Sequence, residues 1–120
     1  MKNGNGVHDL TFVMWKSTRQ LAERFGQHRT ARSQTPLIHE ETCEFIGEAT
    51  ALDIDREKLA NEAVDVMVVV MGMLQLHSVG YDEFEAAILR TVDKNDSKIA
   101  DTHWLDTVTG KITRREAAAG

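Results

Sequence analysis

Apolar residues recur at helical spacing through most of the chain, and short polar breaks divide the pattern into four segments. The first begins near His8, and its Leu10, Met14, Leu21 and Phe25 follow one another at intervals of four, seven and four residues. Residues at these intervals share one face of an α-helix. The pattern therefore predicts a first amphipathic helix from about His8 to Phe25.

The second helix is expected to begin at Thr35-Pro36, because residues 27 to 35 have no apolar periodicity. Threonine is a common N-cap, and proline fits the first helical position, where no backbone N–H is needed. We therefore predict a loop that starts after Gly26 and ends near Thr35, followed by a helix to about Leu52.

The third segment is the most apolar, since Asp65 is the only charged residue between positions 63 and 74. The β-branched run at positions 66 to 70 would also suit a buried strand. A helix is favoured because no proline interrupts residues 56 to 78, whereas strands usually stop after about 4 to 8 residues. The helix is predicted to run from its cap at Asp55 to about Ser78, with Gly80 ending the segment. It has no solvent face, and we expect a second subunit to cover it.

A fourth helix is predicted from its cap at Asp82 to about Ala100, with Phe84, Ile88 and Val92 facing inward. Short connections between helices two, three and four make neighbouring helices antiparallel. The predicted fold class is all-α, an antiparallel helical bundle of about four helices.

The tail, residues 101 to 120, lacks this pattern. Thr109-Gly110 suits the turn of a small hairpin or an irregular loop, and residues 117 to 120 are expected to fray. No repeat or linker divides the 120 residues, which favours a single domain with its core at about positions 8 to 100.

Charge and composition narrow the class of protein. The 14 Lys and Arg against 19 Asp and Glu give a formal net charge of −5, which disfavours general attraction to nucleic acid or anionic membranes. The lone Cys43 cannot form an internal disulfide, and no secretion signal follows Met1. The longest apolar run, residues 66 to 74, is short of the roughly 20 residues that span a bilayer. We expect a soluble, cytoplasmic protein.

Two pairs of acids carry the clearest chemical signal. Glu41 and Glu44 are three residues apart, as are Glu62 and Asp65, so each pair leaves one face of its helix. Glu41 also falls within the apolar arc of the second helix, where a carboxylate is costly unless it is paired or coordinated. Acids at this spacing are also common on solvated helices. The apolar setting favours a site for Mg²⁺, with Mn²⁺ as a substitute.

A second group, Lys94, Asn95 and Lys98, has the spacing of one helix side and suits a polyphosphate. The alternative is a solvated, lysine-rich helix end. Trp15 and Phe12 are candidates for stacking on a base, although aromatic residues at helical positions more often belong to a core.

Several further residues have two open interpretations. Glu40 could orient a water or be a surface acid, and Glu48 could support the metal site or pair with an unidentified cation. Arg29 and Arg32 could reach phosphates from a loop or simply be solvated. His39 is more often a non-catalytic residue in such a position.

Taken together, three motifs resemble those of the MazG-like, all-α nucleoside triphosphate pyrophosphohydrolase superfamily. They lie within residues 37 to 98 and read Glu40-Glu41-x-x-Glu44, Glu62-x-x-Asp65 and Lys94-Asn95-x-x-Lys98. The resemblance implies Mg²⁺-dependent hydrolysis of a nucleoside triphosphate, in particular a deoxynucleoside triphosphate, to monophosphate and pyrophosphate. The role would be house-cleaning of the nucleotide pool. It also implies a homodimer or homotetramer.

The resemblance assigns roles by matched position. Catalysis would depend on Glu40, Glu41 and Glu44, and the metal ligands would be Glu41, Glu44, Glu62 and Asp65. Phosphates would meet Lys94, Asn95 and Lys98. Many relatives carry Arg at the last of these positions, so Lys98 loses the planar fork of a guanidinium.

Two other functions fit parts of this pattern. Phosphoribosyl-ATP pyrophosphohydrolase shares the fold, the metal and the bond cleaved, although Ile38-His39 stands before Glu40-Glu41 where a basic residue would favour it. A non-enzymatic, metal-binding helical dimerisation module would also retain the acids.

Overall fold

The computed structural model describes residues 9 to 116, which form four α-helices and a two-stranded hairpin. The elements are α1 (Leu10–Arg24), α2 (Ala31–Ala49), α3 (Arg56–Leu76), α4 (Tyr81–Asp96), β1 (His103–Leu105) and β2 (Ile112–Arg114). The all-α prediction is confirmed. The chain divides into two compact units, Met1–Tyr81 and Asp82–Gly120, which are described one at a time. The single-domain assignment stays a prediction.

The first helix starts at a well-defined cap. Asp9 accepts hydrogen bonds from the backbone N–H groups of Thr11 at 2.9 Å and Phe12 at 3.4 Å, and the Tyr81 hydroxyl donates to its second oxygen at 2.6 Å. The Tyr81 hydrogen bond is the main reason that the pKa of Asp9 is lowered. The helix gives way to Gly26, whose φ of 60° is left-handed. The predicted start at His8 lies outside the described residues.

The predicted start of the second helix is wrong, because α2 begins at Ala31. Thr30 and Ser33 form a capping box, in which each side chain bonds the other's backbone N–H at 3.0 and 2.9 Å. Pro36 consequently lies inside the helix. The apolar periodicity is missing in the first turns because an amide, Gln34, occupies the inward position and is only 3% exposed. At its other end α2 stops at Ala49, three residues before the predicted Leu52.

The third helix, α3, confirms Asp55 as its cap, since that side chain accepts from the backbone N–H of Lys58 at 3.1 Å. The strand alternative for residues 66 to 70 is wrong, because they lie within the helix. The predicted end is corrected to Leu76, and the left-handed residue that follows is Ser78, with φ of 62°, rather than Gly80.

The core of the first unit forms where α1 and α2 pack against α3. Trp15 and Met71 are its most deeply buried large side chains among the described residues, each 1% exposed. Part of α3 remains uncovered: Val64, Met67 and Val70 are 39 to 46% exposed. The second subunit that we expected over this helix stays a prediction.

The same helix is long and apolar enough, by length and composition alone, to cross a membrane. The core helix of a soluble protein meets this criterion as well, so a single such helix is weak evidence for a membrane span. Two of its three acids, Glu62 and Asp65, lie in the middle of the helix, and carboxylates are costly at the centre of a bilayer.

Helix α4 begins at Tyr81 and ends at Asp96, four residues before the predicted Ala100, and it belongs to the second unit from Asp82 onward. Asp82 lies in the first turn rather than at the cap. The inward prediction holds for Phe84 and Ile88, which are half-buried. Val92 is 47% exposed, so its inward placement is not observed within this chain.

The hairpin interpretation of the tail is confirmed. Strands β1 and β2 pair antiparallel, with Trp104 opposite Thr113. Asp106 organises the turn, because its side chain accepts from the N–H groups of Val108 at 2.9 Å and Thr109 at 3.3 Å. Gly110 completes the turn with a φ of 74°. The predicted fraying at 117 to 120 lies outside the described residues.

Candidate metal centre

The antiparallel packing of α2 against α3 brings acids of both helices together. One carboxylate oxygen from each of Glu41, Glu62 and Asp65 lies within 4.8 Å of the others. Glu41 and Glu62 are half-buried, and Asp65 is exposed. Glu44, one turn beyond Glu41, lies close enough for its charge to raise the pKa of Glu41. We call these four residues the acid cluster.

The acid cluster concentrates negative charge at partly buried positions. Loss of hydration raises the pKa of Glu41, and the charge of Glu44 raises it further. Loss of hydration also raises the pKa of Glu62, with Glu44 and Asp65 adding repulsion. Each of these changes disfavours the ionised carboxylate.

The cluster also leaves hydrogen-bonding capacity unused. The Oε2 atoms of Glu41 and Glu62 are buried and have no hydrogen-bond partner within residues 9 to 116. Buried carboxylate oxygens that lack donors need a compensating partner. Several carboxylate oxygens facing one point are the ligand type that Mg²⁺ and Mn²⁺ prefer. The residues present therefore fit a divalent cation.

Glu48 has a cation partner in Lys58, whose ammonium lies 3.1 Å from the Glu48 carboxylate. Support of the metal site by Glu48 stays a prediction. Lys58 also lowers the pKa of Glu62, although the acids around Glu62 outweigh it. Sequence reasoning did not identify Lys58. The sequence signal for this ion pair was an acid, Glu48, in the apolar arc of α2 together with a lysine in the first turn of α3. Glu40 is exposed on α2 and is not part of the three-residue group that could hold a metal.

The second predicted group lies in the second unit. Lys98 donates to the side-chain oxygen of Asn95 at 3.2 Å, so these two residues are together as the spacing predicted. Lys94 and Asn95 are exposed, whereas Lys98 is half-buried just beyond the end of α4. Their role toward phosphate stays a prediction.

Trp15 lies in the core of the first unit rather than on its surface. The Trp15 ring packs edge-to-face against the Tyr81 ring, with centroids 5.8 Å apart. The Phe12 ring also packs edge-to-face against the Tyr81 ring, with centroids 5.1 Å apart. Because Trp15 is only 1% exposed, packing accounts for its position. We leave it outside the proposed site, and base stacking there stays a prediction.

Arg29 points into the first unit and ties α1 and α3 together. Its guanidinium donates to the Gln75 side chain at 2.8 Å and to the Thr18 carbonyl at 2.9 Å, with a longer bond to the Gly72 carbonyl. Gln34 donates to the Val69 carbonyl at 2.8 Å, and Gln75 to the Trp15 carbonyl at 2.9 Å. Burial lowers the pKa of Arg29. We call Arg29, Gln34 and Gln75 the Arg29 network.

Arg32, rather than Arg29, is the arginine of this segment that lies at the surface. Arg32 is exposed in the first turn of α2, whereas the cation of Arg29 is engaged with acceptors of its own chain. The tertiary hydrogen bonds of Arg29 therefore give it a different environment from Arg32, although the sequence alone could not distinguish the two arginines.

The fold and the acid cluster together define a class of protein, the all-α pyrophosphohydrolases. A protein-family model described as phosphoribosyl-ATP pyrophosphohydrolase matches residues 7 to 92. The chain belongs to this family, and thereby to the MazG-like superfamily suggested by its motifs. No curated protein and no solved structure gave a match. The matched segment contains the whole acid cluster and ends before Lys94.

Proposed function

We propose that this protein hydrolyses a nucleoside triphosphate, in particular a deoxynucleoside triphosphate, to monophosphate and pyrophosphate with Mg²⁺. Mn²⁺ is the expected substitute, and the role would be the control of nucleotide pools. The observation that carries the proposal is the pair of buried, unpartnered oxygens on Glu41 and Glu62, beside Asp65 and Glu44. Family membership supports the reaction type.

The acid cluster would hold the metal through Glu41, Glu44, Glu62 and Asp65. When bound, the cation would neutralise phosphate charge and make a nearby water more acidic. Glu44 is exposed one turn beyond Glu41, where its carboxylate would complete the ligand set. Glu40, exposed on the same helix, would orient the attacking water as a proton acceptor.

Phosphate binding is assigned to Lys94, Asn95 and Lys98. The hydrogen bond from Lys98 to Asn95 holds the ammonium at the end of α4. Charge-assisted bonds from ammonium groups to phosphate oxygens are stronger than neutral ones. Lysine acts here as a point charge and does not provide the bidentate fork of arginine.

Phosphoribosyl-ATP is the second candidate substrate, because the matching family is described as phosphoribosyl-ATP pyrophosphohydrolase. Both candidates require cleavage between the α and β phosphates, so the acid cluster serves either one. The absence of a basic residue at Ile38-His39 favours a nucleoside triphosphate. Comparing kcat/KM for phosphoribosyl-ATP with the values for the deoxynucleoside triphosphates separates the two.

Assembly and location belong to the same proposal. The exposed apolar residues Val64, Met67 and Val70 on α3 support a homodimer or homotetramer in which a second copy covers them. Cytoplasmic location agrees with the substrate class. Sedimentation or light scattering of the purified chain measures the assembly.

The test of the reaction is Glu44→Gln. The wild-type protein should release pyrophosphate from a nucleoside triphosphate with Mg²⁺ and lose this activity in EDTA, and Glu44→Gln should abolish it while helicity and assembly are unchanged. Glu57→Gln is the matched control, because Glu57 is an exposed acid in the first turn of α3. An active Glu44→Gln protein would refute the assignment.

A further inference from the structure

The C-terminal hairpin lies beyond the segment that the family model matches, and it forms a pocket with the residues that follow α4. The pocket has a volume of about 410 Å³. Its lining includes Lys98, Ile99, His103, Trp104, Ile112 and Arg115. All of these residues belong to the second unit.

Exposed apolar side chains line this pocket. Trp104 is 43% exposed, and its neighbours Ile99 and Ile112 are 55% and 52% exposed. The other tryptophan of the chain, Trp15, is 1% exposed. An accessible indole offers a face on which a nucleic-acid base of any sequence can stack. The hairpin therefore presents the chemical group that a base requires.

Two cations complete the pocket. Arg115 is fixed there, because its Nε donates to the Ala100 carbonyl at 2.8 Å and its backbone N–H donates to the Thr102 carbonyl at 2.7 Å. Lys98 is part of the pocket lining and also of the group assigned to phosphate. An aromatic ring and two positive charges in one pocket complement a ligand that is both planar and anionic.

We propose that the pocket beside Trp104 takes the base of the nucleotide whose phosphates meet Lys98. The inference rests on the proposed function and adds a base-binding residue that lies outside the segment matched by the family model. The shape of the pocket is maintained by the hairpin turn at Asp106, so the strands are ordered before the ligand arrives. Preorganisation of this kind reduces the cost of binding.

Fluorescence tests the binding step without any need for catalysis. Deoxynucleoside monophosphates added to the full chain in EDTA should quench the emission of Trp104, and Trp104→Phe should remove this response while buried Trp15 still emits. Inorganic phosphate alone should not produce the quenching. A wild-type protein that shows no response to any of the four monophosphates would overturn the inference.

Kinetics test the same residue in the proposed reaction. Trp104→Ala should raise KM by about 5- to 150-fold, which corresponds to the roughly 1–3 kcal/mol of base–aromatic stacking, with kcat nearly unchanged. Trp104→Phe should restore most of the wild-type KM. Val108→Ala is the control, because Val108 is 93% exposed in the same hairpin and does not line the pocket.

Three results would count against the pocket. One is an unchanged KM in Trp104→Ala, and another is an equal effect of Val108→Ala. The third is a loss of assembly in Trp104→Ala, which would show that a second copy covers Trp104. If wild-type protein releases no pyrophosphate but monophosphates still quench Trp104, the proposed reaction fails and the base pocket stands.

Discussion

Helices α2 and α3 bury polar groups both around Gly72 and around Glu41, but the two regions differ in how many of these groups have hydrogen-bond partners. Near Gly72, the side chains of the Arg29 network donate to carbonyl groups and to one another. Near Glu41, the groups are all acids, and two buried oxygens receive no hydrogen bond within the described part of the chain. The same two helices thus carry one largely satisfied polar region and one that is not.

The difference separates a structural role from a chemical one. Paired donors and acceptors contribute to stability and fix how helices meet. The Oε1 atom of Gln34 is the exception in that network, and a neutral amide oxygen costs less than a carboxylate. Clustered carboxylates with raised pKa values oppose folding at neutral pH, so a ligand must compensate them. We therefore expect mutations in the two regions to affect different measurements.

The largest effect is expected from Glu62→Gln. Pyrophosphate release should fall by at least about 100-fold, because a metal ligand supplies several kcal/mol of transition-state stabilisation. In EDTA at neutral pH the unfolding temperature should rise, since the change removes a charge whose pKa the fold raises. Activity and thermal unfolding are measured on one preparation. An active, less stable variant would contradict the comparison.

The next effect concerns the packing of the Arg29 network. A Cβ added at Gly72 would lie 2.6 Å from the Gln34 amide nitrogen, so Gly72→Ala should destabilise the protein by about 1–3 kcal/mol. Gly47→Ala is the matched control, because nothing lies within 4 Å of its Cβ. That change should stabilise α2 by about 0.5–1 kcal/mol. Urea unfolding measures both, and equal effects would show that the close approach at Gly72 is unimportant.

Arg29 provides a test of whether the network is structural. Arg29→Met should lower stability by about 1–3 kcal/mol, because it leaves buried acceptors without a donor, and it should not raise KM. Arg32→Met, at an exposed position, should change stability by no more than about 0.5 kcal/mol. A raised KM with normal stability in Arg29→Met would instead make Arg29 a phosphate ligand.

The smallest effect is expected at the edge of the acid cluster. Lys58→Met removes the ion pair with Glu48, in which Lys58 is 58% exposed, and its cost in stability should stay within the small range of exposed ion pairs. It should also raise the pKa of Glu62 further, since Lys58 currently lowers it. Thermal unfolding with and without salt measures the first change. A cost well above this range would mean that the pair is central to the cluster.

The sequence predicted the acid cluster well because its information is local. Two acids three residues apart must leave one helix face, and the apolar surroundings of Glu41 indicated that this face is partly buried. The hairpin was also predictable, because Thr109-Gly110 suits a turn. Local spacing and turn chemistry were enough in both cases.

The features that were missed depend on partners distant in the chain. Gln34 interrupts the apolar pattern of α2 because its partner is the carbonyl of Val69, 35 residues away. The cap at Thr30 lies in a stretch without apolar periodicity, whereas Pro36 suits a first helical position, so the sequence predicted that the second helix starts there. The engagement of Arg29 requires the folded positions of α1 and α3. Spacing along one helix cannot reveal any of these.

The most direct test of the account is titration of the full chain with Mg²⁺ or Mn²⁺ by calorimetry, together with thermal unfolding, across pH. The ordinary pKa of Glu41 and Glu62 is 4.5, and both are raised in the fold. The stability that their protonated forms contribute is present below about pH 4.5 and is lost as pH rises through the raised values. Protons and metal compete for the same oxygens, so the account predicts that metal binding and the metal-induced rise in unfolding temperature both grow over this window. Absence of binding heat and of stabilisation at millimolar metal and neutral pH, with or without nucleotide, would contradict it.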